Sequence, residues 1–233
     1  MADEARTLFV IPAYNEGANI GPVLEDLLRA APPAQVLVVN DGSEDDTLEI
    51  ARRYPVHTID FPFNLGVASA LHMGFRYALE RGFTQVVQFD GDGQHIPAEA
   101  AKVLAPVLAG SFDIAVGCRI EHPEATSSFA RQFGGRILSL LLLLLTGRAY
   151  RDPTSGFRAY SLAAIRRFAR DFPDEYPEVE SLVLARKFGL RVTETPVQMR
   201  PRRAGKSSIS LFGSVYYMVK VCLASLVIML RRY

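Results

Sequence analysis

Short β-rich runs alternate with longer helical patterns through the first half of this 233-residue chain. The runs that predict strands are residues 7–11, 35–39, 56–59, 85–89 and 113–116. The helical patterns between them cover residues 18–31, 46–54, 67–81 and 98–108. Strands that alternate with helices in this way pair mostly in parallel and bury both faces of their sheet. The sequence therefore predicts an α/β fold, a mainly parallel sheet with helices on both faces.

The second half of the chain has a less regular pattern. Helices are predicted at residues 129–146, 162–170 and 179–188, and strands at residues 157–160 and 191–197. A basic loop at 200–208 precedes an apolar helical stretch at 211–230. We expect one globular domain over residues 1–210 and an appended C-terminal helix over residues 211–233.

The composition excludes several classes of protein. With 49% hydrophobic and 22% charged residues, the chain is neither disordered nor fibrous. A formal net charge of +1 argues against a globally basic nucleic-acid binder, so no nucleic-acid partner is expected. Cys118 and Cys222 lie far apart without metal-ligand spacing. A disulfide framework or zinc site is therefore not expected, and a cytoplasmic location is.

Polar residues follow three of the predicted strands. Asn15 and Glu16 follow the first strand, Asn40 and Asp41 the second, and Asp90 the fourth. In open parallel sheets, ligands bind beyond the carboxyl ends of the strands, so we expect a ligand site at this edge. The run Asp41-Gly42-Ser43 taken by itself is equally typical of a turn and helix cap.

The sequence Asp90-Gly91-Asp92 gives the sharpest chemical signal. Two carboxylates this close can converge on Mg²⁺ or Mn²⁺, which proteins hold through one or two carboxylates together with substrate phosphates. The intervening glycine lets a diphosphate approach the backbone. The alternative is a hairpin turn, but Pro97 opens a helical pattern where the second hairpin strand would be needed. His95 either orients a neighbour or binds the metal.

Three common motifs of other enzyme classes are missing from the sequence. There is no P-loop, no Gly-x-Gly-x-x-Gly after the first strand and no Gly-x-Ser-x-Gly elbow. The chain is thus not expected to be a P-loop nucleotidase, a dinucleotide-dependent dehydrogenase or an α/β-hydrolase.

Five motifs of the chain belong together: Pro12-Ala13-Tyr14-Asn15-Glu16, Asn40-Asp41-Gly42-Ser43, Asp90-x-Asp92-x-Gln94-His95, Val116-Gly117-Cys118-Arg119 and the run from Asp152 to Tyr160. Together they resemble family-2 glycosyltransferases of the GT-A fold. The last three resemble the branch of dolichyl- and polyprenyl-phosphate mannosyl- or glucosyltransferases. The chain departs from the family at Cys118, where serine is common, and at Ser208, where the family has lysine.

The resemblance implies a role for each matching residue. Pro12, Tyr14, Glu16 and Asp41 would hold the nucleoside of a nucleotide-sugar. Asp90, Gly91, Asp92 and Gln94 would contact the donor diphosphate and its Mg²⁺ or Mn²⁺. Arg119 would lie by the phosphates, Arg131 would meet the acceptor phosphate, and Asp152 would orient or catalyse. Arg202 and Lys206 would belong to a basic loop that closes over the donor.

The implied reaction is inverting, metal-dependent transfer of a hexose to polyprenyl phosphate. Family members with hydroxyl acceptors usually carry a Glu-Asp pair late in the chain. Residues 174–180 lack that pair, although Glu178 or Glu180 could still act as a base. Two alternatives stay open: transfer to a soluble or glycan hydroxyl, and a non-catalytic nucleotide-sugar-binding scaffold for membrane partners.

The C-terminal helix is the expected membrane contact. Lys220 near its middle and arginines beyond both ends disfavour a simple crossing. They favour a helix that lies in the inner face of the cell membrane, where Lys220 can reach water. The alternatives are a soluble dimer interface or a contact with a membrane-protein partner.

Overall fold

The computed structural model describes residues 6–30, 35–119, 129–173, 175–201 and 211–231. Its strands are β1 (Thr7–Ala13), β2 (Gln35–Asn40), β3 (His57–Asp60), β4 (Gln85–Gln88), β5 (Ile114–Arg119), β6 (Arg158–Ser161) and β7 (Val192–Val197). Its helices are α1 (Gly17–Ala30), α2 (Thr47–Ala51), α3 (Val67–Glu80), α4 (Ala100–Leu108), α5 (Phe129–Thr146), α6 (Leu162–Phe168), α7 (Pro177–Lys187) and α8 (Leu211–Leu230). A 3₁₀ turn at Pro97–Glu99 leads into α4.

The strands form one mixed sheet in the order β3-β2-β1-β4-β6-β5-β7. The pairs β1–β2, β2–β3, β1–β4 and β5–β7 are parallel, whereas β6 runs antiparallel to both β4 and β5. The predicted α/β sheet is confirmed: four of these six strand pairs are parallel, as expected of a mainly parallel sheet, and β6 makes it mixed.

The reversal of β6 follows from the path of the chain before it. The segment between α5 and β6 runs beside β7: Arg148 donates to the Val192 carbonyl, and the Asp152 N–H donates to the Glu194 side chain at 2.9 Å. This segment runs alongside β7, from the start of β7 toward the end of β5. The strand that follows must therefore enter the sheet from the edge at which β1, β2 and β4 end.

Each central strand buries both of its faces. In β1, Leu8 and Val10 pack into one core, and Phe9 and Ile11 into the other, because successive side chains point to opposite sides of a strand. The first core includes side chains of α3, α5, α6, α7 and α8, and the second those of α1, α2 and α4. The helices thus cover both faces as predicted, and the strand ends form a fixed edge.

The C-terminal helix α8 lies against α5 and α7. It buries Val221 and Ile228 in the first core and exposes Leu223, Leu226 and Val227. Across the part of the chain that the structure describes, no helix combines the length and the hydropathy needed to cross a membrane. The division at residue 210 and the membrane contact of α8 stay predictions.

Candidate active site

The loop that follows β4, the acidic loop, carries Asp90 and Asp92. Its turn uses Gly93, whose φ of 79° lies in the left-handed region that favours glycine. The Gln94 N–H donates to Asp92 Oδ1 at 3.0 Å, and Asp92 is buried. The 3₁₀ turn follows directly, so the hairpin alternative is wrong.

His95 holds this loop from below. The Asp90 N–H donates to His95 Nδ1 at 3.0 Å, which leaves the ring proton on Nε2, 3.4 Å from Asp90 Oδ2. The ring stacks on Phe157, with centroids 4.5 Å apart. Burial lowers the pKa of His95 to about 4, so the ring is neutral at pH 7. In this structure His95 orients Asp90.

Gly156 lies against the carboxylate of Asp90. A Cβ built at Gly156 would stand 2.8 Å from Asp90 Oδ2, closer than real contacts allow. A Cβ at Gly91 would make an ordinary contact of 3.4 Å with the Pro12 carbonyl oxygen. A side chain at position 156, which the sequence argument missed, would therefore displace the Asp90 carboxylate, whereas one at position 91 would not.

Arg119 and Asp152 form a bidentate ion pair. Arg119 Nε and Nη2 donate to Asp152 Oδ2 and Oδ1 at 2.6 and 2.7 Å, and the Arg119 backbone N–H donates to Oδ2 at 3.2 Å. These hydrogen bonds raise the pKa of Arg119, and its side chain is still 46% exposed. A ligand phosphate at this position would share the guanidinium with Asp152.

Arg158 is a buried cation beneath the site. It is 1% exposed and donates to the Ser155 carbonyl at 2.7 Å, the Pro153 carbonyl at 2.9 Å and Ser181 Oγ at 2.9 Å. It therefore fixes the shape of the loop between Asp152 and β6. An arginine between Phe157 and Ala159 in a predicted strand was the signal that could have marked it.

Asp41 and Glu16 close the loops at the expected nucleoside end. Asp41 accepts the N–H groups of Leu65 and Gly66 at 2.7 and 2.9 Å. It therefore joins the end of β2 to the start of α3 and does not cap α2. Glu16 accepts from Asn19 Nδ2 at 2.6 Å. Pro12, in β1, is half-buried, and Tyr14 is exposed at the same edge.

Three predicted residues fall where their side chains cannot be described. Arg131 lies in the first turn of α5, and Arg202 and Lys206 lie outside the described residues. The described chain before Arg202 lies beside the acidic loop. Met199 forms an antiparallel β-bridge with His95, and the Arg200 N–H donates to the Gln94 carbonyl at 2.8 Å.

The carboxylates of Asp90 and Asp92 fit a metal ion whose remaining ligands come from the substrate. Among the described residues, no group of three or more His, Cys, Asp or Glu side chains could hold an ion by itself. Asp90 and Asp92 offer carboxylate oxygens from one loop, the number typical of Mg²⁺ sites completed by substrate phosphates. The contribution of Gln94 stays a prediction.

Comparison with known proteins identifies the class. Glucosyl-3-phosphoglycerate synthase from Mycobacterium tuberculosis, solved with Mn²⁺, UDP-glucose and phosphoglyceric acid, has this fold, with a TM-score of 0.77 at 20% identity over 98% of this chain and 81% of its own. The family description "Glycosyl transferase family 2" matches residues 8–171. The chain belongs to glycosyl transferase family 2 and is a glycosyltransferase.

Relatives of similar length extend this match. An uncharacterised protein of Methanocaldococcus jannaschii is 34% identical over 81% of this chain and 79% of its own length. The UDP-N-acetylglucosamine–dolichyl-phosphate N-acetylglucosaminyltransferase of Methanococcus voltae is 32% identical over 85% and 86%. The polyprenol monophosphomannose synthase of Mycolicibacterium smegmatis is 30% identical over 88% and 81%.

Proposed function

We propose that this glycosyltransferase transfers a hexose, with inversion, from a nucleotide-sugar to polyprenyl phosphate at the cytoplasmic face of the membrane. The observation that carries the proposal is the match over 85–88% of the chain to relatives named for dolichyl or polyprenol phosphate. The acidic loop and Arg119 lie at the sheet edge where such a donor would bind.

Asp90 and Asp92 would hold Mg²⁺ or Mn²⁺ together with the donor diphosphate. The ion would stabilise the charge on the leaving nucleoside diphosphate. Arg119 would add a guanidinium to the same charge, and Asp152 holds that guanidinium in position. Glu16 and Asp41 fix the loops against which the nucleoside would lie.

A phosphate acceptor is ionised near neutral pH and needs no strong general base. A second candidate, a hydroxyl acceptor, is favoured by Glu178: burial raises the pKa of its carboxyl above the ordinary value, and the nearby Arg158 offsets only part of that rise. Such a group could receive a proton from a hydroxyl. Glu178→Gln separates the two, since it should leave transfer to lipid phosphate largely intact and abolish transfer to a hydroxyl.

The decisive experiment offers a panel of labelled nucleotide-sugars to the protein with a membrane lipid extract. The proposal expects label in an organic-extractable glycolipid that needs Mg²⁺ or Mn²⁺. Label in an aqueous glycan fraction would support the hydroxyl alternative. Donor binding without any turnover, with or without metal, would support the scaffold alternative.

Arg131→Ala should raise the acceptor KM more than the donor KM.

The membrane contact of α8 needs a variant that leaves the core intact. Deleting residues 211–233 would remove Val221 and Ile228 from the first core. Leu223→Ser and Leu226→Ser change side chains that are exposed. We expect this double variant to leave the membrane fraction while keeping donor binding, with Val221 and Ile228 unchanged. If it sediments with vesicles as the parent does, α8 is not the anchor.

A further inference from the structure

A small cavity lies at the far end of the sheet from the acidic loop. Its volume is about 110 Å³, and it is lined by Thr146, Arg148, Tyr150, Arg186, Leu190 and Val192. Val192 pairs with Ile114 at the start of β5, whereas Arg119 ends that strand. Five residues of strand, roughly 16 Å, separate the two positions.

Two arginines line this cavity. Arg148 donates to the Val192 carbonyl and lies over the ring of Tyr150, 5.5 Å from its centroid. Arg186 lies exposed in the last turn of α7. Among the residues that the structure describes, neither guanidinium has a carboxylate within ion-pair distance. Glu194, the acidic residue of this stretch of β7, accepts instead from the N–H groups of Arg151 and Asp152.

Buried hydroxyl groups complete the wall. Tyr150 and Thr146 are 4% and 7% exposed, and both line the cavity. The Thr146 hydroxyl already donates to the Leu142 carbonyl at 2.7 Å, so Tyr150 is the hydroxyl donor of the proposed site. The volume is several times the ~30 Å³ that one water occupies in the liquid, so a small oxyanion can enter. Arginine forks and hydroxyl donors are the groups that proteins use to bind phosphate.

The helix that ends at the cavity also has an exposed apolar row. The helix α5 buries Leu138 and Leu142 in the core but exposes Leu140, Leu143 and Leu144, which lie within its last two turns before Thr146. These positions share one side of the helix. A cationic pocket at the end of an exposed apolar row matches a molecule with a phosphate head and apolar chains.

We propose that Arg148, Arg186 and Tyr150 form a phosphate-binding site, separate from the active site, that takes the head group of an anionic phospholipid. The exposed leucines of α5 would then lie along its acyl chains. The lipid arm of this inference rests on the proposed membrane contact. The pocket itself is tested by inorganic phosphate without a membrane.

The experiment compares the full chain with Arg148→Gln/Arg186→Gln, and uses Arg166→Gln, an exposed arginine of α6, as the matched control. One arm measures partitioning onto phosphatidylcholine vesicles with and without phosphatidylglycerol. The other measures thermal stabilisation by inorganic phosphate, in which any phosphate bound at the active site contributes equally to all variants. Circular dichroism in phosphate-free buffer checks folding.

We expect the double variant to partition roughly thirtyfold less onto the anionic vesicles, the effect of two arginines at such a surface. It should also lose part of the stabilisation by phosphate, and the control should lose neither. Loss of the phosphate effect without loss of vesicle binding would keep the pocket and make its ligand a soluble phosphate.

Equal losses in the control, or no loss in either arm, would overturn the site. If the double variant does not fold, Arg186→Gln decides the matter alone, because that exposed side chain can be changed without opening the core. Transfer to a short water-soluble acceptor should be unchanged in all variants. A loss there with normal vesicle binding would count against the proposed function and not against the pocket.

Discussion

Two loops at the same edge of the sheet each present an aspartate, and their surroundings differ. Asp90 follows β4, and its side chain is 37% exposed above a neutral histidine. Asp152 precedes β6, and its side chain is 11% exposed and held by both arms of Arg119. The first loop presents negative charge to a ligand, and the second is neutralised by its own partner.

This difference in exposure and pairing implies different roles for the two loops. A carboxylate that faces solvent can take up a cation at little cost, whereas one that already accepts a bidentate guanidinium must give up those hydrogen bonds first. Removing Asp90 should therefore affect the chemistry directly, and so should removing Asp92, the buried second carboxylate of the same loop. Removing Asp152 should act through the position of Arg119.

The largest expected effect belongs to the acidic loop. Asp92→Asn keeps the size of the side chain and removes a charge from the proposed metal and diphosphate site. We expect kcat/KM to fall about 10²-fold, which corresponds to ~2.7 kcal/mol of transition-state stabilisation. Steady-state kinetics with Mn²⁺ titration measures it. Glu49→Gln, an exposed carboxylate on α2, is the control and should change nothing.

If activity survives both EDTA and Asp92→Asn, the acidic loop has no metal role and the contrast between the two loops disappears.

The next effect concerns the buried cation under the second loop. Arg158→Met should lower the free energy of unfolding by about 2 kcal/mol, because two loop carbonyls and Ser181 Oγ lose a charged donor. Urea unfolding measures this. Arg166→Met, on the exposed side of α6, is the matched control. Arg158→Lys should rescue only part of the loss, since an ammonium cannot reproduce the planar fork.

An Arg158→Met protein as stable as its parent would mean that the loop keeps its shape without the guanidinium.

Asp152 itself is expected to act by holding Arg119. Asp152→Asn should reduce kcat/KM about tenfold, ~1.4 kcal/mol, mainly through a higher donor KM, because Arg119 loses its anchor but keeps its charge. Arg119→Lys should lower kcat as well, since it also removes the proposed phosphate contact. A loss as large as that of Asp92→Asn, expressed in kcat, would make Asp152 a reacting group.

The sequence predicted most of the fold because its apolar patterns are local. The strands and helices around the sheet lie within a few residues of the predicted bounds, and the acidic residues follow β1, β2 and β4 as expected. The direction of β6 could not be predicted, because it depends on contacts of Arg148 and Asp152 with β7, more than 40 residues away.

The same limit applied to the site. Residue types and spacing indicated a metal and phosphate site, but spacing could not show that Asp152 closes on Arg119 or that Gly156 meets Asp90. Those facts depend on how the two loops meet in space. The roles of the site residues stay predictions that the variants above test.

The smallest effect comes from a second bidentate pair at the opposite end of β5, which serves as a structural reference for Arg119 and Asp152. Arg191 Nε and Nη2 donate to Asp113 Oδ2 and Oδ1 at 3.0 and 3.3 Å. Burial pushes the pKa of Asp113 up, but the hydrogen bonds from Arg191 outweigh it and hold the pKa below the ordinary value of 3.8.

Because the pKa of Asp113 is lower in the folded state, the pair stabilises the fold above the unfolded-state pKa, and this contribution is lost as the pH falls through the folded-state pKa. Asp113→Asn should therefore be slightly less stable than its parent at pH 7 and equally stable at strongly acidic pH, with unchanged kcat/KM. Urea unfolding at a series of pH values measures the difference. A constant difference at every pH would mean that packing, and not the ionised pair, stabilises this end of β5. A loss of activity in Asp113→Asn would show that breaking an arginine–aspartate pair on this strand disturbs the site from a distance, and the effect of Asp152→Asn could then no longer be assigned to Arg119.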